Sequence, residues 1–392
     1  MNTTDKTICM LSDTHELFDD RIYWKECLSL KKKGFNVIHL GVADKQNDFL
    51  SKEGIRLISV ERKQIFKTNK ADRVFRFIFL KNQTNKALFK KARQIKADFY
   101  TIHDLKPAKL ISRLKKLAHN PKVFYAAHES YADQLRDYSS RKGFTRITTN
   151  WYANYIYTRE KKACKFADKV IAFDDAVAEE FKSTINPGKV CVIYNYTNLE
   201  TTNQKAEKVY DLVYLGGISD VRGIINIIEA LHECKKILQN IKLLLLGRIY
   251  DPAFKVRLFE TIEKLELTTN IEYKEWVPYN DVPEYLSKSK VGLVLLKPIA
   301  KFYKNIPIKQ FEYMAFGLPV IGSDLPPISN FIEPVEAGII VDPLNISAIS
   351  NAMINLLTDE NLYSKHSKNG LRAAKEKYCW KISESELFKL YK

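Results

Sequence analysis

Short runs of apolar residues alternate with longer segments of helical periodicity along almost the whole chain. The apolar runs have the length of strands and lack the regular polar positions of a half-exposed sheet. They therefore indicate parallel strands that are buried on both faces. Such a sheet needs helices on both sides, so the pattern predicts an α/β protein.

In the first half of the chain, the pattern predicts strands at residues 7–11, 36–41, 99–103, 123–127, 170–173 and 190–194, and a further short run lies near 56–60. It predicts helices at residues 21–33, 107–118, 149–167 and 176–183, and a long amphipathic basic stretch at 73–95. The polar, turn-rich segment 195–208 is the best candidate for a linker between domains.

The same alternation restarts after this linker. The predicted strands are residues 212–215, 243–246, 271–273, 291–296, 320–322 and 339–341. The predicted helices are residues 224–238, 252–265, 282–287, 307–316 and 346–357, with a helical tail at 362–391 and a loop at 297–305. A chain of 392 residues is long enough for two such units. Ligands of open parallel sheets bind beyond the carboxyl ends of the strands, so we expect the site in a cleft between two such domains.

The net charge of +17 is concentrated in the first half. Residues 1–200 contain 38 basic and 23 acidic side chains, whereas residues 201–392 contain 25 and 23. A basic domain favours anionic partners, which include nucleic acid, phosphorylated substrates and an anionic membrane surface. The sequence contains no DNA- or RNA-binding motif, so nucleic acid is not expected. The aromatic and basic segment WYANYIYTREKK (151–162) suits peripheral association with a membrane, although an ordinary amphipathic helix would show the same pattern.

The six cysteines have no CxxC spacing and most lie in apolar surroundings, which favours reduced thiols in the cytosol. The first residues form no signal-peptide core, and no apolar run approaches the ~18–20 residues of a membrane span. We therefore expect a cytoplasmic protein that is at most peripheral to the inner face of the cell membrane.

Two segments of the second half carry candidate chemistry. In YLGGISDVRG, Gly216 and Gly217 follow an apolar strand, and Arg222 precedes a helix. Glycines let the backbone approach a ligand, and a helix N-terminus with an arginine attracts phosphate. In NIPIKQFEYMAFGLPVIGSD, Lys309 and Glu312 are three residues apart and share one helix face. The lysine suits phosphate and the glutamate suits two hydroxyl groups, as in a ribose, although the pair would also fit a surface salt bridge.

These segments resemble a known family. PIKQFEYMAFGLPVIGSD resembles the C-terminal signature of glycosyltransferase family 4, whose members are retaining enzymes of the GT-B fold. YLGGISDVRGIINIIEAL resembles its donor-phosphate loop, and GIIVDPLNISAISNAMINLL its closing strand and helix. EKYCWKISESELFKLY resembles the last helix of the family, which crosses back to the N-terminal domain. In the first half, FDDRIYWKECLSLKKKGFNVIHLG, DFYTIHDLKPAKL and VFYAAHESYADQ resemble a subgroup that acts on bacterial surface polysaccharides.

The resemblance implies two Rossmann-like domains whose parallel sheets face a central cleft. Residues 1–200 would form an N-terminal acceptor-binding domain, residues 201–375 a nucleotide-sugar donor-binding domain, and residues 376–392 a C-terminal helix on the N-terminal domain. Glu312 would bind the donor ribose, and Arg222, assisted by Lys309, would hold the diphosphate. His128 would lie near the transferred sugar, and His103 and Asp104 follow a neighbouring strand end. The remaining donor-binding candidates are Gly216, Gly217, Lys304 and, for the base, Arg248, Trp276 and Val277.

The sequence departs from the family at two positions. The signature often has two glutamates eight positions apart, but Lys304 stands where the first one belongs. Tyr303, Asn305 and Lys301 are candidates to replace its contact with the donor sugar. A second basic residue often precedes Arg222 by six positions, and Gly216 stands there. Lys297, Lys301 and Lys304 are candidates to supply this charge.

The expected reaction transfers a sugar from a nucleotide-diphosphate-sugar to a glycan or a polyprenyl-diphosphate-linked acceptor, with retention, in bacterial surface polysaccharide synthesis. The chain contains no Asp-x-Asp pair to hold a metal ion, so no metal or other cofactor is expected. The basic residues would stabilise the leaving diphosphate instead. Two alternatives remain open, a sugar-nucleotide 2-epimerase and a non-catalytic binding subunit of the same architecture.

Overall fold

The computed structural model describes residues 6–62, 83–103, 105–128, 144–199 and 206–392. The chain forms two compact units. Unit 1 consists of Met1–Asn195 with Ser383–Lys392, and unit 2 is Tyr196–Ile382. The sequence places the corresponding limits at residues 200 and 375.

Unit 1 contains, within the described residues, one eight-stranded sheet. Its strands are β1 (Thr7–Leu11), β2 (Asn36–Ala43), β3 (Asn47–Leu50), β4 (Arg56–Glu61), β5 (Phe99–His103), β6 (Lys122–Ala127), β7 (Lys169–Ala172) and β8 (Val190–Val192). They lie in the order β3-β4-β2-β1-β5-β6-β7-β8, and all pairs except β3 with β4 are parallel. All four residues of the antiparallel edge strand β3 are exposed, and the strand was not predicted.

The helices of unit 1 are α1 (Leu28–Lys32), α2 (Gln83–Ile95), α3 (Ile111–Leu114), α4 (Phe144–Cys164) and α5 (Asp175–Lys182). The predicted helix at 21–33 is a π-helical segment, Ile22–Cys27, followed by α1. The predicted helix at 107–118 is a 3-10 turn, Pro107–Leu110, followed by the short α3. The basic stretch at 73–95 is helical from Gln83 onward, and its earlier part lies outside the described residues.

Unit 2 contains, among the described residues, a six-stranded sheet that is parallel throughout. Its strands are β9 (Tyr210–Leu215), β10 (Leu243–Leu246), β11 (Ile271–Lys274), β12 (Ser289–Val294), β13 (Val320–Ser323) and β14 (Gly338–Val341), in the order β11-β10-β9-β12-β13-β14. Strand β10 is four consecutive leucines, all buried, as expected for a strand covered on both faces.

The helices of unit 2 are α6 (Ile224–Lys235), α7 (Pro252–Lys264), α8 (Val282–Ser287), α9 (Lys309–Ala315), α10 (Pro326–Ile332), α11 (Ile346–Thr358) and α12 (Glu360–Glu376). Side-chain caps fix three of their starts, because Asp251, Asn345 and Asp359 each accept a backbone N–H of the first turn. The helix α10 was not predicted, and the predicted loop at 297–305 contains a 3-10 turn, Ala300–Tyr303.

The final helix, α13 (Trp380–Leu390), begins in unit 2 and continues into unit 1. Its end is anchored by Tyr391, which is fully buried. The Tyr391 hydroxyl lies 2.6 Å from Oγ1 of Thr101 on β5, and its ring packs edge-on against Phe99 and Phe124. The predicted fold class, two α/β units with parallel sheets, is confirmed.

Candidate functional site

The turn after β9 is built from two glycines, of which Gly216 is required by the backbone conformation. Gly216 has a φ of +109°, a conformation that side-chain-bearing residues rarely adopt. Its amide donates to the carbonyl of Leu246 at 2.8 Å, which ties the turn to the end of β10. The hydroxyl of Tyr214 donates to the carbonyl of Gly217 at 2.8 Å. The turn is therefore held from both sides.

The ammonium group of Lys309 lies against this turn. Nζ is 3.4 Å from the position that a Cβ on Gly216 would take, and 3.8 Å from the ring centroid of Tyr214. Lys309 is 7% exposed, and no described residue accepts a hydrogen bond from Nζ. Burial, and then the nearby charge of Arg222, lower the pKa of Lys309 well below its usual value, while Glu312 opposes the shift. The amine is therefore placed as an unsatisfied donor, ready for an anion.

Arg222 brings a second cation to the turn. Its Nε lies 3.8 Å from the position that a Cβ on Gly217 would take, and its guanidinium is 6.0 Å from the ring centroid of Phe302. The following residue, Gly223, has a φ of +73°, and a Cβ there would stand 1.9 Å from the carbonyl oxygen of Leu295. This glycine lets the chain turn tightly into α6.

Helix α9 carries both Lys309 and Glu312, and it is pinned to β9 by the residue that follows Glu312. The hydroxyl of Tyr313, which is fully buried, accepts the amide of Leu215 at 2.8 Å. Gln310 donates from Nε2 to the carbonyl of Pro327 at 3.0 Å. Glu312 is 7% exposed. The predicted pair Lys309 and Glu312 thus belongs to a rigid, buried helix beside the Gly216-Gly217 turn, not to a solvated surface.

Arg248, Trp276 and Val277 follow the neighbouring strands β10 and β11. The guanidinium of Arg248 lies 5.4 Å from the ring centroid of Trp276, and the Trp276 side chain is 59% exposed. The Arg248 carbonyl accepts the amide of Ile218 at 2.9 Å, so this loop is connected to the glycine turn. An exposed indole next to a guanidinium is a suitable face on which a nucleobase could stack.

Loop 297–305, in which Lys304 stands where the family has its first glutamate, contains several basic residues. Their environments differ. Lys297 Nζ lies 3.2 Å from Asp220 Oδ2, and Arg257 binds the other oxygen of that carboxylate at 2.6 Å. Lys301 is buried, Lys304 is half-buried and Tyr303 is 48% exposed. Of the three candidates to supply the charge missing at residue 216, Lys297 is already paired. Lys309, which the sequence did not name for this purpose, lies directly at that position.

In unit 1, His128 follows β6 and His103 ends the adjacent β5. The two rings meet, because Nδ1 of His103 lies 2.9 Å from Nε2 of His128. Both side chains are buried, at 0% and 7% exposure. Asp104, the other candidate in this group, lies outside the described residues.

Two further residues that the sequence did not single out, Arg21 and His15, meet His128, and a third, Asp19, holds both of them. Arg21 forms a short hydrogen bond to Nδ1 of His128, and the ring of His15 lies 4.7 Å from the His128 ring, centroid to centroid. Asp19 binds Nδ1 of His15 at 2.7 Å and accepts the amides of Arg21 and Ile22. Burial opposes ionisation of Asp19, but the hydrogen bond and charge of His15 lower its pKa well below the usual range. All three follow β1, so the rule that sites form beyond strand ends could have identified them.

The helix α4 presents aromatic side chains at its surface. Trp151 is 68% exposed and Ile147 is 65% exposed. The Trp151 ring stacks on Tyr155 with 6.0 Å between centroids, and Arg159 lies 5.4 Å from the Tyr155 ring. Over the described parts of the chain, no helix has the length and apolar character needed to cross a membrane.

Two family models match the chain. The model for glycosyl transferases group 1 matches residues 196–373, and that for glycosyltransferase family 4 matches residues 26–201. Among curated proteins, the sucrose-phosphate synthase of Spinacia oleracea is 23% identical over 161 residues, and a probable sucrose-phosphate synthase of Solanum tuberosum is 24% identical over 161 residues. These alignments cover 38% of this chain and 15% of each relative, so the chain matches only a small part of their length.

Similar folds occur among solved structures. The sucrose-phosphate synthase from Thermosynechococcus elongatus superimposes with a TM-score of 0.74 at 17% identity, covering 98% of both chains. HepE of Anabaena, in complex with UDP, superimposes with a TM-score of 0.72 at 12% identity, covering 98% of this chain and 99% of HepE. At these identities the likeness concerns the fold.

Proposed function

This chain belongs to the glycosyltransferases described by those two family models, and from that premise we propose that it transfers a sugar from a nucleotide-diphosphate-sugar to an acceptor. The observation that carries the proposal is the buried amine of Lys309, which lies against the Gly216-Gly217 turn with no described hydrogen-bond acceptor. A buried ammonium without a partner costs folding free energy, unless a ligand supplies the missing anion.

The diphosphate of the donor fits this requirement. Lys309 and Arg222 approach the same turn, and the amides at the start of α6 add partial positive charge. As the bond between sugar and diphosphate breaks, negative charge grows on the leaving group, and these cations would stabilise it. We propose that they do so without a metal ion. Lys309 then supplies the charge that Gly216 lacks in comparison with the family pattern.

The rest of the donor would occupy the neighbouring groups of unit 2. Glu312 is proposed to bind the ribose hydroxyls, since it lies one helical turn beyond Lys309 on α9. Trp276 and Arg248 are proposed to contact the base, and Val277 to line that end. UDP is the first nucleotide to test, because HepE, a protein of similar fold, was crystallised in complex with UDP.

The reaction is proposed to proceed with retention, and His128 is proposed to contact the transferred sugar. A glycan or a polyprenyl-diphosphate-linked acceptor of surface polysaccharide synthesis would bind unit 1. The exposed Trp151 of α4, which stacks on the half-buried Tyr155, supports peripheral contact with the inner face of an anionic cell membrane. Co-sedimentation with anionic vesicles at low salt tests this contact, and Trp151→Ala should weaken it.

Donor binding is tested by thermal unfolding against UDP, GDP, ADP, CMP and their sugars. A ligand at about 100 times its Kd adds roughly 2.7 kcal/mol of stability. One diphosphate should stabilise the wild type but not Glu312→Ala, while Glu284→Ala, an exposed glutamate of the same unit, should respond as the wild type does. No response to any nucleotide would contradict the proposal and favour a non-catalytic binding subunit.

The chemistry needs a second experiment. Proton NMR of the product gives the anomeric configuration, and an inverted product would contradict retention. Incubation with the donor alone distinguishes the epimerase alternative, because an epimerase changes the sugar when no acceptor is present. A transferase should require the acceptor for transfer.

A further inference from the structure

A buried row of four polar side chains runs through His128 in unit 1, and the first three of them are joined by hydrogen bonds. Arg21 binds Nδ1 of His128, and Nε2 of His128 lies 2.9 Å from Nδ1 of His103. Nε2 of His103 lies 3.7 Å from Oε2 of Glu26. Glu26 is 1% exposed, and no described residue forms a hydrogen bond to either of its carboxyl oxygens. Burial of a glutamate without hydrogen bonds costs free energy, so packing alone does not account for its presence here.

The chemistry of Arg21 sets the direction of every proton in this row. A guanidinium only donates, so Nδ1 of His128 must accept. A neutral His128 then carries its proton on Nε2, which donates to Nδ1 of His103. His103 in turn carries its proton on Nε2, which points toward Glu26. An imidazolium at His128 would place an N–H of the ring against the N–H of Arg21, so the charged form is disfavoured.

The π-helical segment Ile22–Cys27 explains how Arg21 and Glu26 reach the same pair of histidines. The amide of Glu26 donates to the carbonyl of Arg21, five residues back, at 3.0 Å. This bond stacks the two residues on one side of the turn, which the four-residue spacing of an α-helix would not do. Asp19 fixes the start of the turn by accepting the amide of Arg21 at 3.0 Å.

We propose that Arg21 and His103 are positioning residues that hold His128 as the neutral tautomer protonated on Nε2, with both ring nitrogens engaged by the protein. The imidazole is then fixed in orientation and is not available as a general base. Burial raises the pKa of Glu26 to about 8, against the opposing charge of Arg21, so near neutral pH its carboxyl resembles the amide of glutamine. The effect on sugar transfer rests on the proposed function, whereas the tautomer does not.

The tautomer is measured on ligand-free protein labelled with 15N-histidine, by long-range proton–nitrogen correlation. The chain has seven histidines, and His128→Gln identifies the signal. We expect His128 to show an unprotonated Nδ1 and a protonated Nε2 at pH 7. Arg21→Met should give a mixture of tautomers at His128, whereas Glu26→Gln and Glu26→Leu, which leave Arg21 and His103 in place, should keep the wild-type tautomer. Thermal unfolding shows whether each variant is folded.

The kinetic counterpart is a loss in kcat of about 10- to 100-fold in Arg21→Met, with the KM for the donor unchanged and the activity of Glu26→Gln close to that of the wild type. An imidazolium or an Nδ1-protonated His128 in the wild type would overturn the proposal, as would an unchanged His128 spectrum in folded Arg21→Met. If the spectra behave as expected but no variant, including the wild type, transfers sugar, the proposed function fails and the positioning of His128 stands.

Discussion

The Nζ atom of Lys309 lies 3.8 Å from the ring centroid of Tyr214, and the hydroxyl of the same tyrosine holds the carbonyl of Gly217. One aromatic side chain therefore joins the buried cation to the glycine turn. The ring face partly compensates the ammonium charge, but it supplies no hydrogen-bond acceptor. The buried ammonium therefore destabilises the ligand-free protein, and a bound anion would remove this cost. Removal of the amine should accordingly raise stability and lower the affinity for an anion.

Lys309→Met should stabilise the ligand-free protein and weaken nucleotide binding. Methionine keeps most of the apolar length of the side chain and removes the buried ammonium, so the free energy of urea-induced unfolding should rise by about 1 kcal/mol or more. The Kd for the bound nucleotide should rise about 10- to 100-fold, the effect of losing a hydrogen bond to a charged group worth about 1.5–3 kcal/mol.

Lys288→Met, which removes a cation from an exposed ion pair in the same unit, should change neither the stability nor the Kd measurably. A destabilised Lys309→Met with unchanged nucleotide affinity would mean that the amine serves only the fold.

Nucleotide binding should be accompanied by proton uptake. Because burial lowers the pKa of Lys309 in the ligand-free protein, its amine loses its proton at a lower pH than an ordinary lysine does, and a bound diphosphate raises the pKa again. Titration calorimetry in Tris and HEPES, which differ in ionisation enthalpy, should show an uptake of up to about one proton per site, growing as the pH rises. Nucleotide affinity should fall over the same range. Equal proton uptake in Lys309→Met would assign it to another group.

Two adjacent glycine substitutions should differ in stability. Alanine at Gly216 must adopt a φ of +109°, and its Cβ would lie 3.4 Å from Nζ of Lys309, so Gly216→Ala should lose about 1–3 kcal/mol in urea unfolding. Gly217 has no positive φ, and the atoms nearest to a Cβ placed on it would be 3.8 Å away. Gly217→Ala should therefore stay within about 0.5 kcal/mol of the wild type. An equal loss of unfolding free energy in both variants would mean that the turn tolerates no side chain at either position. The positive φ of Gly216 would then not be the cause of its loss.

The sequence predicted this turn but not what surrounds it. The strand, the two glycines and the following helix are local features, and local periodicity and turn chemistry are enough to find them. The approach of Lys309 to Gly216 depends on how α9 packs on β9 through Tyr313, which no local pattern encodes. The π-helical turn before Cys27 was also missed, because its apolar spacing fits an ordinary helix. The edge strand β3 and the short helix α10 lack a periodic apolar pattern long enough to recognise.

Trp276→Ala should weaken nucleotide binding with little effect on folding. The indole is 59% exposed and contacts Arg248 at its surface, so its removal leaves no cavity in the core. Stacking of a base on an aromatic ring is worth about 1–3 kcal/mol, and the Kd should rise about 10-fold or more. Trp151→Ala, at an equally exposed tryptophan of unit 1, should bind the nucleotide as the wild type does. Equal affinities in all three proteins would exclude Trp276 from the base site.

Glu26→Gln should become more stable than the wild type as the pH rises. Burial raises the folded-state pKa of Glu26 to about 8, well above the 4.5 of an ordinary glutamate, so the folded protein holds a proton that the unfolded chain releases above about pH 4.5. The stability that this proton contributes is fully present below the unfolded pKa and is lost progressively until the pH passes the folded pKa. The wild type should therefore lose stability relative to Glu26→Gln between about pH 4.5 and 8, by a few kcal/mol in total, and the difference should then level off.

Urea unfolding of both proteins at pH 5, 6.5, 8 and 9 measures this difference in stability. Glu284→Gln, at an exposed glutamate, provides the control. A difference that does not change with pH would mean that Glu26 is ionised in the folded protein throughout this range, and its carboxylate, rather than a neutral carboxyl, would then face His103.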